Sequence, residues 1–165
     1  MEISHARPTL LAGGTLHAMR IYLAAAMTHA GRDLEAIRTL LDCLEADGHD
    51  VPTRHVADPL GREVEGELAD ADVARRDLGW VAGCDALVAE VSTPSHGVGV
   101  EVAAALAGGK PVLLTYRRGA PVSRLLLGLP GVEAFAYTDA RHVRDEVRRF
   151  LARVKGGLAV SPPRG

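Results

Sequence analysis

A chain of 165 residues is most simply one domain, and its 47% hydrophobic content supplies a sizeable core. Aromatics are only 4%, so Leu, Val and Ala must fill that core. A net charge of -2 excludes a general basic field for nucleic acid or an anionic membrane, and no apolar run approaches the roughly 20 residues that cross a bilayer.

Residues 1–18 show little periodicity and read as a flexible N-terminal extension, with Met19 directly before a strand-like run. No basic start is followed by a long apolar block, so no signal peptide is expected. Arg20 to Ala26 reads as a buried strand. A helix follows with Leu34, Ile37, Leu41 and Leu44 on one face, ending near Gly48. Asp50 to Thr53 reads as a second strand, and His55 to Gly66, with a proline and two glycines, as loop. Glu67 to Gly83 reads as a helix burying Leu68, Val73, Leu78 and Val81. Ala86 to Val91 is a third strand, ending at a polar, glycine-containing loop, and Val98 to Gly108 a third helix. Pro111 to Tyr116 is a fourth strand, Val122 to Leu127 a short helix, and Val132 to Tyr137 a fifth strand. Ala140 to Val154 closes the domain, with Val143, Val147, Phe150, Leu151 and Val154 at helical spacing; 156–165 reads as a flexible tail.

Strands alternating with helices predict a parallel sheet with helices on both faces. In such sheets ligands bind at the carboxyl ends of the strands, where strand order reverses. Tyr22 and Thr28 flank the end of the first strand, His55 and Asp58 follow the second, Glu90 to Glu101 the third, and Arg117 and Arg118 the fourth. The two cysteines, Cys43 and Cys84, have neither metal-knuckle nor disulfide spacing and fit buried thiols in a reducing cytoplasm. The first turn, from Ala24 to Gly31, lacks both GxGxxG and GxxxxGK[ST], which argues against a dinucleotide oxidoreductase. No GxSxG elbow and no HExxH spacing is present.

What remains is a pair of carboxylates, Asp77 on the second helix and Glu101 near the start of the third. Singly, each has a plain structural reading, Asp77 as a surface helix acid and Glu101 as a helix-start carboxylate favoured by the macrodipole. Together with a polar loop they fit glycosidic cleavage, with one acid as nucleophile and the other as proton donor. Gly97 and Gly99 would let a ligand approach the backbone.

Three segments, His55-Val56-Ala57-Asp58, Asp77-Leu78-Gly79-Trp80 and Ala89-Glu90-Val91-Ser92-Thr93-Pro94-Ser95-His96-Gly97-Val98-Gly99-Val100-Glu101, resemble in the same order the 2′-deoxynucleoside 5′-phosphate N-hydrolases of the nucleoside 2-deoxyribosyltransferase superfamily. The likeness runs from about Met19 to Lys155. It implies a flavodoxin-like (Rossmann-like) three-layer sandwich with a five-stranded parallel sheet over 19–155, and hydrolysis of (2′-deoxy)ribonucleoside 5′-monophosphates to free base and sugar 5-phosphate. Glu101 would attack C1′ and form a covalent glycosyl-enzyme, Asp77 would protonate the leaving base, and Tyr22 would orient the nucleophile or sugar. Ser95 would bind the 5′-phosphate and His55 the base side; Gly97, Gly99 and Glu90 fall in the same substrate-binding segment. No metal or organic cofactor is required. The protein would be a cytoplasmic homodimer whose partner subunit completes the pocket, acting on a small nucleotide or nucleoside.

The chain departs from that family around the phosphate. The family's Gly-Ser-Ile-Arg-Gly-Gly-Arg loop is replaced by Ala25-Ala26-Met27-Thr28-His29-Ala30-Gly31-Arg32, so a serine becomes Ala26 and an arginine becomes Thr28. The partner's serine falls near Leu126, with Ser123 close by. Thr28, Arg32, Ser95, Ser123 or Arg54 would compensate. Val100 stands where a tyrosine often occurs. A nucleoside 2-deoxyribosyltransferase, or a nucleosidase acting on unphosphorylated nucleosides, is the near alternative, and a non-catalytic nucleotide-binding module the alternative of another class. A cytokinin-type phosphoribohydrolase lacks its Pro-Gly-Gly-x-Gly-Thr-x-x-Glu signature here.

Overall fold

The computed structural model describes residues 18–61 and 66–157; the expected N-terminal extension and most of the expected tail lie outside them. Four parallel strands, β1 (Ile21–Ala25), β2 (Ala86–Glu90), β3 (Val112–Arg117) and β4 (Val132–Tyr137), lie in the order β1-β2-β3-β4. Register pairs Tyr22 with Leu87, Ala25 with Glu90 and Thr115 with Phe135. The helices are α1 (Leu34–Ala46), α2 (Asp70–Gly83), α3 (His96–Ala107), α4 (Arg124–Leu127) and α5 (Arg141–Lys155).

Residue parity along the strands sorts the core into two layers, because successive strand side chains point to opposite faces. Ile21, Leu23, Ala86, Val88 and Leu113 meet α1 and α5 through Ile37, Leu40, Val147 and Phe150. Tyr22, Ala24, Leu87, Ala89 and Leu114 meet α2 and α3 through Val81, Val98, Val102 and Ala105. The sheet is therefore sandwiched between helical layers, as expected.

Among the described residues the sheet has four strands, not five. Asp50 to Thr53 makes only an isolated parallel bridge, Arg20 to Asp50. The Ile21 N–H donates to Asp50 O at 2.8 Å and the Asp50 N–H to Met19 O at 2.9 Å. Pro52 then has no N–H to continue a ladder. A side chain takes over: the Leu23 N–H donates to Thr53 Oγ1 at 3.0 Å, both groups buried. This segment still flanks β1 on the outside, so the chain crosses to the sheet's outer edge through α1 and returns past β1 through α2. The reversal of strand order, and with it the ligand crevice, sits beside β1.

Two shifts in helix limits bear on the site, besides a later start for the short helix at Arg124. The helix α3 begins at His96, so Gly97 and Gly99 lie in its first turn rather than in a loop, and Glu101 in its second. The helix α2 begins at Asp70, and only Val81 of the four residues assigned to its buried side is buried. Leu68 and Leu78 are 44% and 41% exposed. The reason is a cavity that they line.

Thr53→Val keeps shape and removes the acceptor for a buried backbone N–H. It should lower unfolding free energy by about 1–3 kcal/mol, read as a lower urea midpoint at unchanged slope.

Candidate active site

Between the N-terminal halves of α2 and α3 lies a cavity of about 540 Å³. From α2 it receives Asp70, Val73, Ala74, Asp77 and Leu78, the i, i+3, i+4, i+7, i+8 stripe of one helical face. From α3 it receives Gly97, Val100 and Glu101, and from the loop after β1, Thr28. The two acids singled out from sequence thus face one space. Asp70 is a third carboxylate there, absent from the sequence reading although its seven-residue spacing from Asp77 puts both on one face.

Glu101 is anchored from the sheet. Tyr22, 2% exposed on β1, donates its hydroxyl to Glu101 Oε1 at 2.9 Å. Burial, then the negative charges of Glu101 and Asp77, push the Tyr22 phenol far above its ordinary value. It therefore stays a neutral donor across the working pH range. On α2, Arg76 Nε meets Asp77 Oδ1 at 2.9 Å, and the pair is only 24% and 20% exposed. Asp77 is thus partly buried and bonded to a guanidinium, rather than set against another acid. The Arg76 guanidinium lies 4.9 Å over the Trp80 ring. His55, in a 3-10 turn over Arg54–Ala57, places its ring 6.0 Å from Trp80 and is not among the cavity's lining residues.

The proposed phosphate ligands separate. Ser95 caps α3, its Oγ accepting from the Val98 N–H at 3.4 Å. With Ser123, Gly99 and Val100 it lines a second, mostly apolar groove of about 690 Å³. Val100 lines both spaces, so the groove adjoins the acid cavity. Arg32 is held elsewhere: Nη1 donates to Val56 O at 2.7 Å and Nη2 to Asp58 O at 2.5 Å, clipping the loop after β1 to the 3-10 turn. Thr28 is exposed on the rim between the acid cavity and the space beside Arg32.

Glu90 lies on the other side of the sheet. Strand parity puts it with Ala25, Val88 and Tyr137, facing α1, whereas Tyr22 and Ala89 face α3. It is 1% exposed. The Ser92 hydroxyl, the Ser92 N–H at 3.2 Å and the Tyr137 hydroxyl at 2.8 Å all donate to Glu90 Oε1. Tyr137 Oη is also 3.1 Å from Asp33 Oδ2, which receives Arg117 Nε at 2.9 Å. This cluster ties the ends of β2, β3 and β4 to the start of α1, where Asp33 accepts from the Ala36 N–H at 3.1 Å.

The nucleoside 2-deoxyribosyltransferase family pattern matches residues 21–153. The chain belongs to this family. A Methanosarcina barkeri protein provisionally named 2′-deoxynucleoside 5′-phosphate N-hydrolase 1 is 35% identical over 134 residues, covering 80% of this chain and 84% of that protein. The mouse (Mus musculus) 5-hydroxymethyl-dUMP N-hydrolase is 33% identical over 150 residues, covering 87% and 84%. Among solved structures, the Clostridium botulinum CMP N-glycosidase BcmB superposes with a TM-score of 0.60 at 21% identity, covering 79% of this chain and 98% of that one, which shows a shared fold.

In this member of the deoxyribosyltransferase family, the two carboxylates of the α1 clasp carry opposite electrostatics. Burial raises the Glu90 carboxyl, against partial relief from Ser92 and Tyr137. For Asp33, burial is outweighed by the Ala36 N–H, Arg117 and Tyr137, and the carboxyl is lowered. A raised acid stabilises the fold fully below its unfolded value, about 4.3 for glutamate, and loses that contribution as pH rises through the folded value. Glu90→Gln, which keeps an acceptor and removes the charge, should therefore gain stability over the natural protein as pH rises from 4 to 8. Urea midpoints across that range check this; a difference independent of pH contradicts it.

Proposed function

We propose that this chain is an N-glycosidase that hydrolyses the base–sugar bond of (2′-deoxy)ribonucleoside 5′-monophosphates, releasing free base and sugar 5-phosphate. The observation that carries the reading is one cavity lined by both Asp77 and Glu101, with Glu101 bonded to a buried tyrosine. Membership of a family whose relatives are named nucleotide N-hydrolases supports it.

Cleavage builds positive charge at C1′ and negative charge on the departing base. Glu101 faces the first as a carboxylate: its oxygen forms a bond to C1′ as the C1′–N bond breaks, giving a glycosyl-enzyme. Asp77 gives its proton to the base as that bond breaks. A water then attacks C1′, its proton returns to Asp77, and the Glu101 carboxylate is regenerated. Tyr22 fixes one oxygen of the nucleophile throughout. No step in this sequence calls for a metal or an organic cofactor.

The 5′-phosphate belongs, in this reading, at the capped start of α3, where Ser95 and the helix dipole favour an anion. Ser123 lies across the adjoining groove. Leu125 and Val100, 78% and 59% exposed beside that groove, give an apolar surface that a second copy would cover. A homodimer of cytoplasmic location, with its site closed by the partner, is the assembly we assign. Among the described residues no helix is long and apolar enough to cross a membrane.

Base release from ribo- and deoxynucleosides and their 5′-monophosphates, followed by liquid chromatography, tests the reading. Release from monophosphates alone supports it. Release only when an acceptor base is added makes the protein a transferase, and release from free nucleosides makes it a nucleosidase. Binding without release from any compound makes it a nucleotide-binding module. Glu101→Ala should abolish turnover while the fold survives, and Tyr22→Phe should lower kcat with little change in KM; natural rates for Glu101→Ala contradict the mechanism.

A further inference from the structure

The acid side of the cavity contains a side-chain arrangement that helix geometry alone does not produce. Consecutive residues on a helix diverge by about 100° and do not face each other. Arg76 and Asp77 are consecutive on α2, yet Nε and Oδ1 are 2.9 Å apart. The guanidinium has to bend sideways to reach its neighbour. Trp80, four residues on and so on the face of Arg76, supplies the surface that holds it there, with the guanidinium carbon 4.9 Å over the ring. The Trp80 ring is in turn flanked at 6.0 Å by His55, whose ring is tilted 48° to it. Asp77, Arg76, Trp80 and His55 thus form a continuous ladder from the cavity wall to the 3-10 turn after the first crossover.

We propose that Arg76, held over the Trp80 ring, is a positioning residue that locks the Asp77 carboxyl through Oδ1 and presents Oδ2 to the departing base. The inference rests on Asp77 being the proton donor. Among the described residues Arg76 is the bonded partner of Asp77, through Oδ1, so Oδ2 is the oxygen left to meet the base. A planar guanidinium suits this role because it can stack on an indole and still direct the Nε–H in its own plane. A lysine in its place keeps the charge and can rest on the ring, but its ammonium is a point donor with no fixed plane. Trp80 and His55 act one step further out, by restricting where the guanidinium can lie.

The test is a double-mutant cycle on the full chain, with Arg76→Ala, Asp77→Ala and the double variant assayed for base release from the best monophosphate substrate. Arg76→Lys is assayed alongside, and each variant's unfolding midpoint is recorded. If Arg76 works through Asp77, Arg76→Ala lowers kcat by up to about 100-fold, the scale set by a misplaced catalytic group, while KM stays within about twofold. The same change made on Asp77→Ala costs nothing further, and Arg76→Lys restores only part of the rate. With a nucleotide whose base already carries a positive charge, such as a 7-methylpurine nucleotide, the loss shrinks, because that base leaves without a proton. Equal losses in the natural and Asp77→Ala backgrounds overturn the proposal, as does full activity of Arg76→Ala. If Arg76→Ala does not fold, full activity of Arg76→Lys overturns it. Undiminished kcat for Asp77→Ala alone removes the proton-donor reading itself, an outcome the single variant separates from a failure at Arg76.

Discussion

The site depends on one hydrogen bond, from the Tyr22 hydroxyl to Glu101 Oε1. Tyr22 is locked in β1 by the sheet and by its burial against the α3 layer, so its hydroxyl is a fixed point. Glu101 sits in the second turn of α3, on a flexible side chain with several staggered rotamers open to it. A bond from a neutral buried donor to a carboxylate contributes about 1.5–3 kcal/mol, enough to select one orientation. It also joins α3, one wall of the cavity, to the sheet. Without it, α3 would still pack through Val98, Val102 and Ala105, but its carboxylate would lose its tie to the sheet.

The carboxyl edge of the sheet is divided by strand parity into a side that meets the acid cavity and a side that meets α1. On the α3 side, Tyr22 leads to Glu101 and the cavity shared with α2. On the α1 side, Glu90, Tyr137, Ser92, Asp33 and Arg117 consume one another's hydrogen-bonding capacity and hold the start of α1 to three strand ends. Arg32 extends that clasp to the carbonyls of Val56 and Asp58. The loop after β1, which carries Thr28 to the cavity rim, is thereby fixed from the face opposite the acid cavity. Polar residues that cluster at one edge in sequence therefore divide into two groups according to the side of the sheet they occupy.

Much of the fold was legible because its causes are local. Apolar runs marked β1 to β4, and the spacing of Val143, Val147, Phe150 and Leu151 marked α5. The expected second strand, Asp50 to Thr53, failed on chemistry that a short run hides: Pro52 cannot donate, and the Thr53 hydroxyl substitutes for a backbone partner. The face of α2 misled because an apolar stripe can line a cavity as well as a core, so Leu68 and Leu78 face open space. Asp77, Glu101 and Tyr22 were nameable through family resemblance, and the structure adds their shared cavity and the Tyr22 bond. Glu90 went astray although the parity of its strand already opposes it to Ala89. Arg32 went astray because a guanidinium near strand ends is as well satisfied by carbonyls as by phosphate. Asp70 was readable from its seven-residue spacing to Asp77. The Arg76–Asp77 pair was not readable, since it depends on how Trp80 packs.

A nucleophilic Glu101 requires a covalent bond between C1′ and its carboxylate. Intact-protein and peptide mass spectrometry after incubation with a 2′-fluoro-arabino nucleoside 5′-monophosphate, which slows release of the sugar, tests it most directly. An added sugar phosphate on the peptide containing Glu101, lost over time in water and absent in Glu101→Ala, is the expected result. Base release with no adduct, or an adduct on another residue, would contradict it.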